Sequence, residues 1–167
     1  MNLFAERNSL YSKIACLFIL IFLSSIVYFN SLQGAFQFDD RNLLNREWLA
    51  DLNSFNKNID LKSYQNRPIL LWTFAVNNQL NNQHTFGFHL ANLILHTLVA
   101  VLIFVLVICT KYLIPKEYNY NERKNQKLVN RQRTSVLFFP LATALIFLLH
   151  PINTDSVTYI SSRSSLL

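Results

Sequence analysis

The chain has 167 residues and a net charge of +6, with 51% hydrophobic residues but only 14% charged residues and two glycines. A soluble domain carries about 25% charge, and the deficit here is concentrated in long uncharged runs, so an ordinary water-soluble globule is excluded. Both cysteines lie in apolar segments, which argues against a disulfide framework and makes them expected packing residues.

The first apolar run, residues 10–29, is long enough to cross a bilayer, with Lys13 placed to snorkel at one end. The residues after it, "YFNSLQGAFQ", offer no small-x-small cleavage site, so an uncleaved anchor is expected. A loop over residues 30–85 follows and is too long for an idle connection. Near its start, "GAFQFDDRNLL" holds two adjacent carboxylates, Asp39 and Asp40. Two readings stand side by side. Asp40 could cap the helix that Leu44, Trp48, Leu52, Phe55 and Ile59 predict by their spacing of three and four, leaving Asp39 solvated. Alternatively, one carboxylate acts as a general base while the other orients it or holds a divalent metal ion. A second loop segment, "RPILLWTFAVNNQL", starts with Pro68 at a helix's first turn. It is too short to span and is expected to lie at the membrane surface or to pack under the loop.

Residues 86–110 contain no Lys, Arg, Asp or Glu and form the second expected span. Thr85, His89, Asn92 and His96 share one helical face, within an arc of roughly 60°. Ionisable groups in spans face other helices or a wet cavity, so this stripe is either interhelical hydrogen-bonding or the wall of a pocket. His89 and His96 are two turns apart, a rise of about 10 Å, which argues against a shared zinc ion.

The connection over residues 111–133 carries seven Lys or Arg against two acids, whereas the loop 30–85 balances five against five. Basic residues in short loops are retained in the cytosol. The expected topology therefore has a cytoplasmic N-terminus and basic loop, with the first loop and the tail outside; no nucleic-acid partner is expected, and the basic run is assigned to topology and membrane lipid. A third span over residues 134–149 contains Pro140. In the tail, residues 150–167, "HPINTDSVTYISSRSSLL" predicts a helix capped by Asn153 or Thr154, with Asp155, Tyr159 and Arg163 at i, i+4 and i+8. Asp155 suits a helix N-terminus, and Arg163 could snorkel or bind phosphate through its planar fork.

The order "FQFDD", "NRPILLWTFAVNNQL", "TFGFHLANLILH" and "LLHPINTDSVTYISSRSSLL" resembles membrane O-mannosyltransferases of the transmembrane and tetratricopeptide-repeat kind and their bacterial relatives. That resemblance covers most of the chain except the basic loop. It implies the N-terminal part of a C-type glycosyltransferase fold with many membrane helices, of which this chain is expected to supply an all-α single membrane domain over residues 1–167 with the three spans read above. It also implies transfer of a sugar, mannose or another hexose, from a polyprenyl-phosphate carrier to a protein or glycan acceptor hydroxyl on the extracytoplasmic side. The membrane would be the bacterial inner membrane or the endoplasmic reticulum. By the same resemblance Asp39 or Asp40 is the candidate base, and the pair is also the candidate ligand set if a divalent metal is used. Arg67 and Arg163 would meet the departing phosphate, and His89, Asn92, His96, His150, Asp155 and Tyr159 fall at positions near the family's cavity. Family members continue through further spans into a repeat domain. The rival reading is a non-catalytic membrane assembly or packing subunit, or an inactive truncated relic.

Overall fold

The computed structural model describes residues 3–37, 40, 47–58, 67–82, 84–113 and 126–167, and every element among them is helical. Helix α1 covers Leu3–Tyr28 and passes into a 3-10 turn, Phe29–Gln33. A 3-10 turn at Glu47–Leu49 and helix α2, Leu52–Asn58, come from the first loop, followed by α3, Pro68–Asn81. The long helices α4, Thr85–Leu113, and α5, Gln126–Leu149, precede a tail of three short pieces: Pro151–Asn153, α6 at Thr154–Thr158, and Ile160–Ser165.

Leu10–Gln33 and Thr85–Thr110 are each long and apolar enough to cross a membrane. Leu137–Leu149 reaches that length only when counted together with Pro151–Thr158, so the chain has two or three candidate spans. Helices α4 and α5 also run into the basic connection, to Leu113 and from Gln126. Lys, Arg, Gln and Leu are good helix formers, and charge alone does not end a helix.

The chain divides into two compact units. The first comprises residues 1–24 and 97–150. Its core is Cys16 and Leu20 from α1, Ala100 and Phe104 from α4, and Ala144 and Leu148 from α5. Ala100 and Ala144 are completely buried, and small residues of this kind let helix backbones approach. Ser24 Oγ and Thr97 Oγ1 lie 2.9 Å apart, joining α1 to α4 by a hydroxyl hydrogen bond. Phe18, Phe22, Leu102, Leu106, Phe138 and Ile146 point outward, as expected of helices whose solvent is lipid. Cys109 is exposed, unlike buried Cys16, so only Cys16 has the expected packing role.

The second unit comprises residues 25–96 and 151–167. Leu49, Phe55, Leu71, Phe74, Ala75, Phe88 and Ile160 form its main core, and Tyr28, Leu93 and Val157 a smaller one. The helix expected from Leu44 to Ile59 is interrupted where it is described: the first piece stops at Leu49, and a new one begins after Asp51. Its Oδ1 accepts the Ser54 backbone N–H at 2.7 Å and its Oδ2 the Ser54 hydroxyl at 3.1 Å, which caps α2. Leu49 and Phe55 still reach the core that the spacing predicted, while Leu44 and Ile59 lie outside the described residues.

Helix α3 begins at Pro68 as predicted and ends at Asn82, which adopts φ 47° and donates its N–H to the Asn78 carbonyl at 2.9 Å. Asparagine tolerates this left-handed cap better than most residues. One face of α3, with Leu71, Phe74, Ala75, Asn77 and Asn78, is buried, and Ile69, Trp72 and Leu80 are exposed on the other. The continuous tail helix is not formed. Tyr159 is extended, with φ −108° and ψ 114°, so Asp155, Tyr159 and Arg163 do not share a face. Tertiary partners take the backbone groups that a longer helix would have used.

Candidate functional site: a carboxylate and a guanidinium that fasten the tail

Asp40 is buried, with 1% of its surface exposed. Its Oδ2 accepts the Gln37 N–H at 3.1 Å, closing a local turn in which the Asp40 N–H returns to the Gln37 carbonyl at 2.9 Å. Its Oδ1 accepts the Ser161 N–H at 2.8 Å, across 121 positions of sequence. Ser161 is the second residue of the Ile160–Ser165 turn, so its N–H has no partner within that turn. Asp40 therefore caps the tail from a distance. The start of the helix that Asp40 was expected to cap locally, and Asp39 itself, lie outside the described residues.

Two residues beyond Ser161, Arg163 is also 1% exposed. Its Nε–H donates to Asn92 Oδ1 at 2.7 Å. One terminal nitrogen donates to the Thr73 carbonyl and to Thr73 Oγ1, each at 3.3 Å. The other reaches Asn77 Oδ1 at 2.9 Å and the Phe88 carbonyl at 3.3 Å. A guanidinium has five N–H donors, and here all five are directed at neutral oxygens. The carbon of the group sits 4.4 Å from the centre of the Phe74 ring and 6.0 Å from that of Phe88, adding cation–π attraction. Burial pushes its pKa down from the ordinary arginine value to about 10, so Arg163 stays charged at neutral pH. That difference corresponds to about 3 kcal/mol against the charged form, which charge-assisted bonds of about 1.5–3 kcal/mol each can offset. A phosphate could contact this guanidinium only by displacing one of these acceptors.

The polar stripe of α4 faces inward. Asn92 is fully buried; besides holding Arg163, its Nδ2 donates to the Tyr159 carbonyl at 3.4 Å. His89 Nε2 lies 3.2 Å from the Gly34 carbonyl. A carbonyl can only accept, so that nitrogen carries a proton, while the buried Nδ1 has no hydrogen-bond partner among the described residues. A Cβ on Gly34 would come within 3.0 Å of His89 Nε2, so the missing side chain permits this approach. The His96 ring meets Tyr28 edge-on at 5.5 Å.

The structure thus gathers Asp40, Asn92, the Tyr159 backbone and Arg163 into one polar network. It does not bring every expected residue there. Arg67, at the start of α3, and Asp155 are exposed, and Tyr159 is half-buried. His150 is exposed and belongs to the first unit. Among the described residues no three His, Cys, Asp or Glu side chains converge to hold a metal ion. A separate surface cavity of about 380 Å³, lined by Ala50, Asp51, Asn78, Gln79 and Asn82, contains none of the expected site residues. Sequence reasoning missed Thr73, Asn77 and Ser161. The signal for Asn77 was present: an amide on the same side of α3 as Leu71, Phe74 and Ala75 must find a buried partner.

Comparison with known proteins finds relatives that align with most of the chain. The chain is 31% identical to protein O-mannosyl-transferase F38B6.6 of Caenorhabditis elegans, over 90% of this chain and 21% of that protein. It is 31% identical to protein O-mannosyl-transferase TMTC1 of Homo sapiens, over 86% of this chain and 15% of the relative. Protein O-mannosyl-transferase TMTC4 of Mus musculus is 29% identical over 87% of this chain and 20% of its own length. The chain therefore spans only about a fifth of these relatives or less. No family model and no solved structure matches. Over most of its length this membrane chain is a homologue of the protein O-mannosyl-transferases of the TMTC family, matching an N-terminal portion of them.

Proposed function

We propose that the chain supplies the base-bearing part of a membrane glycosyltransferase that moves mannose or another hexose from a polyprenyl phosphate to a protein hydroxyl on the extracytoplasmic side. In this reaction a carboxylate takes the acceptor's proton as its oxygen bonds to the sugar's C1. The C1–O bond to phosphate breaks, and the polyprenyl phosphate leaves with the electron pair. Asp40, with its neighbour Asp39, is the candidate base. The observation that carries the reading is the buried Asp40 carboxylate, held in place by two backbone N–H groups. Each of its oxygens keeps a second lone pair for an acceptor.

Exposed Arg67 is the candidate donor to the leaving phosphate, whose charge needs N–H groups aimed at it. Asp155, Tyr159, His89, Asn92 and His96, all of the second unit, are proposed to border the acceptor site, and a metal, if used, would be held by Asp39 and Asp40. The names of the relatives support the sugar and the protein acceptor, and the membrane is proposed to be the endoplasmic reticulum or a bacterial inner membrane. The test is sugar transfer in microsomes by the native full-length gene product. Asp39→Asn with Asp40→Asn should abolish transfer while insertion is preserved, and undiminished transfer would refute the role. The alternative, a packing subunit, draws on one observation: the donors of Arg163 are already fully engaged within the protein.

A further inference from the structure

Arg163 and Asp40 do not touch in any described bond, yet they hold the same short segment. The Arg163 side chain is anchored on α3 through Thr73 and Asn77 and on α4 through Asn92 and the Phe88 carbonyl. Its backbone belongs to the Ile160–Ser165 turn, in which Ser161 gives its N–H to Asp40. A 3-10 turn of this length has few bonds of its own with which to fix its position. The Leu166 N–H bonds back to the Arg163 carbonyl and the Ser162 N–H to the Tyr159 carbonyl, so the backbone around the buried arginine is tied into the turn. Ile160, completely buried in the main core, is the apolar pin beside the polar one.

We infer that Arg163 is a positioning residue, and that Asn77 and Thr73 act through it. The guanidinium fixes the tail turn on α3 and α4, and the turn's Ser161 N–H then sets the direction of the Asp40 carboxylate. Arginine is suited to this task because one planar fork reaches Asn92, Asn77, Thr73 and the Phe88 carbonyl together, whereas a lysine ammonium has three donors on one atom. The catalytic part of the inference rests on the proposed role of Asp40; the positioning part does not.

The experiment compares Arg163→Lys, Asn77→Ala and the near-isosteric Thr73→Val in the full-length gene product by two measurements. The first is amide hydrogen exchange. Positioning predicts at least tenfold faster exchange at Ser161 in Arg163→Lys and Asn77→Ala, and a smaller change in the same direction in Thr73→Val, which is chosen as the variant best able to fold. Unchanged Ser161 exchange in all three variants overturns the inference. The second is steady-state transfer. Positioning predicts a roughly tenfold lower kcat with an unchanged KM for the polyprenyl-phosphate sugar. A raised donor KM with unchanged kcat makes Arg163 a phosphate ligand and likewise overturns it. Full activity of Asp40→Asn refutes the proposed base alone, because Ser161 exchange still judges the positioning.

Discussion

Replacing Asn92 by Leu tests how much the buried guanidinium depends on its amide partner. The side chains are similar in size, so little cavity is created, and the loss is concentrated in hydrogen bonding. Asn92 Oδ1 accepts from Arg163 Nε at 2.7 Å, a charge-assisted bond of about 1.5–3 kcal/mol. The bond from Asn92 Nδ2 to the Tyr159 carbonyl is longer, at 3.4 Å, and adds less. Since the unpaired N–H stays buried, about 2–3 kcal/mol should be lost, or about 30- to 150-fold in the folding equilibrium. Denaturant unfolding in mild detergent measures this loss, and amide exchange at residues 159–163 locates it. Asn92→Asp is the control, because it keeps an acceptor for Nε and should cost far less. A loss below about 0.5 kcal/mol in Asn92→Leu, or equal losses in the two variants, would refute the assignment of Asn92 as the partner on which Arg163 depends.

Two further outcomes follow from local geometry. A Cβ on Gly87 would overlap the Asn81 side chain, whose Nδ2 donates to the Asn77 carbonyl at 3.0 Å. Gly87→Ala should therefore destabilise by about 1 kcal/mol, the overpacking cost exceeding alanine's helix preference. In an Asn81→Ala background the same change should become stabilising, and a change of equal size in both backgrounds would remove Asn81 as the cause. The Asp51 carboxylate is held below the ordinary aspartate range, first by the Ser54 backbone N–H. A depressed carboxylate stabilises the fold above its unfolded pKa and loses that contribution as pH falls through its folded value. The Ser54 amide resonance should show the cap opening below the ordinary aspartate range, and Asp51→Ala should show it open already at neutral pH without that acid transition.

Uncharged runs, set against a polar, charge-balanced loop, were enough to mark the apolar helices, because the cost of placing charge in hydrocarbon is a property of composition. Pro68 likewise announced the start of α3, since its fixed φ and missing N–H suit a first turn. Helical spacing placed His89, Asn92 and His96 on one face, and all three are buried. What spacing could not supply was their partners. Asn92 meets Arg163 across 71 positions, and Asp40 meets Ser161 across 121. Local periodicity carries no term for contacts at that separation. It also predicted a continuous helix through Tyr159, where the structure is extended. There, backbone groups that an isolated segment would satisfy within itself are taken by Asn92 and Asp40. The sequence by itself thus determined the long apolar helices, the start of α3 and the inward face of α4. Only the tertiary structure decided that Asp40 of the first loop and Arg163 of the tail fasten the same turn, because buried polar groups accept whichever partners the packed chain brings within hydrogen-bonding distance.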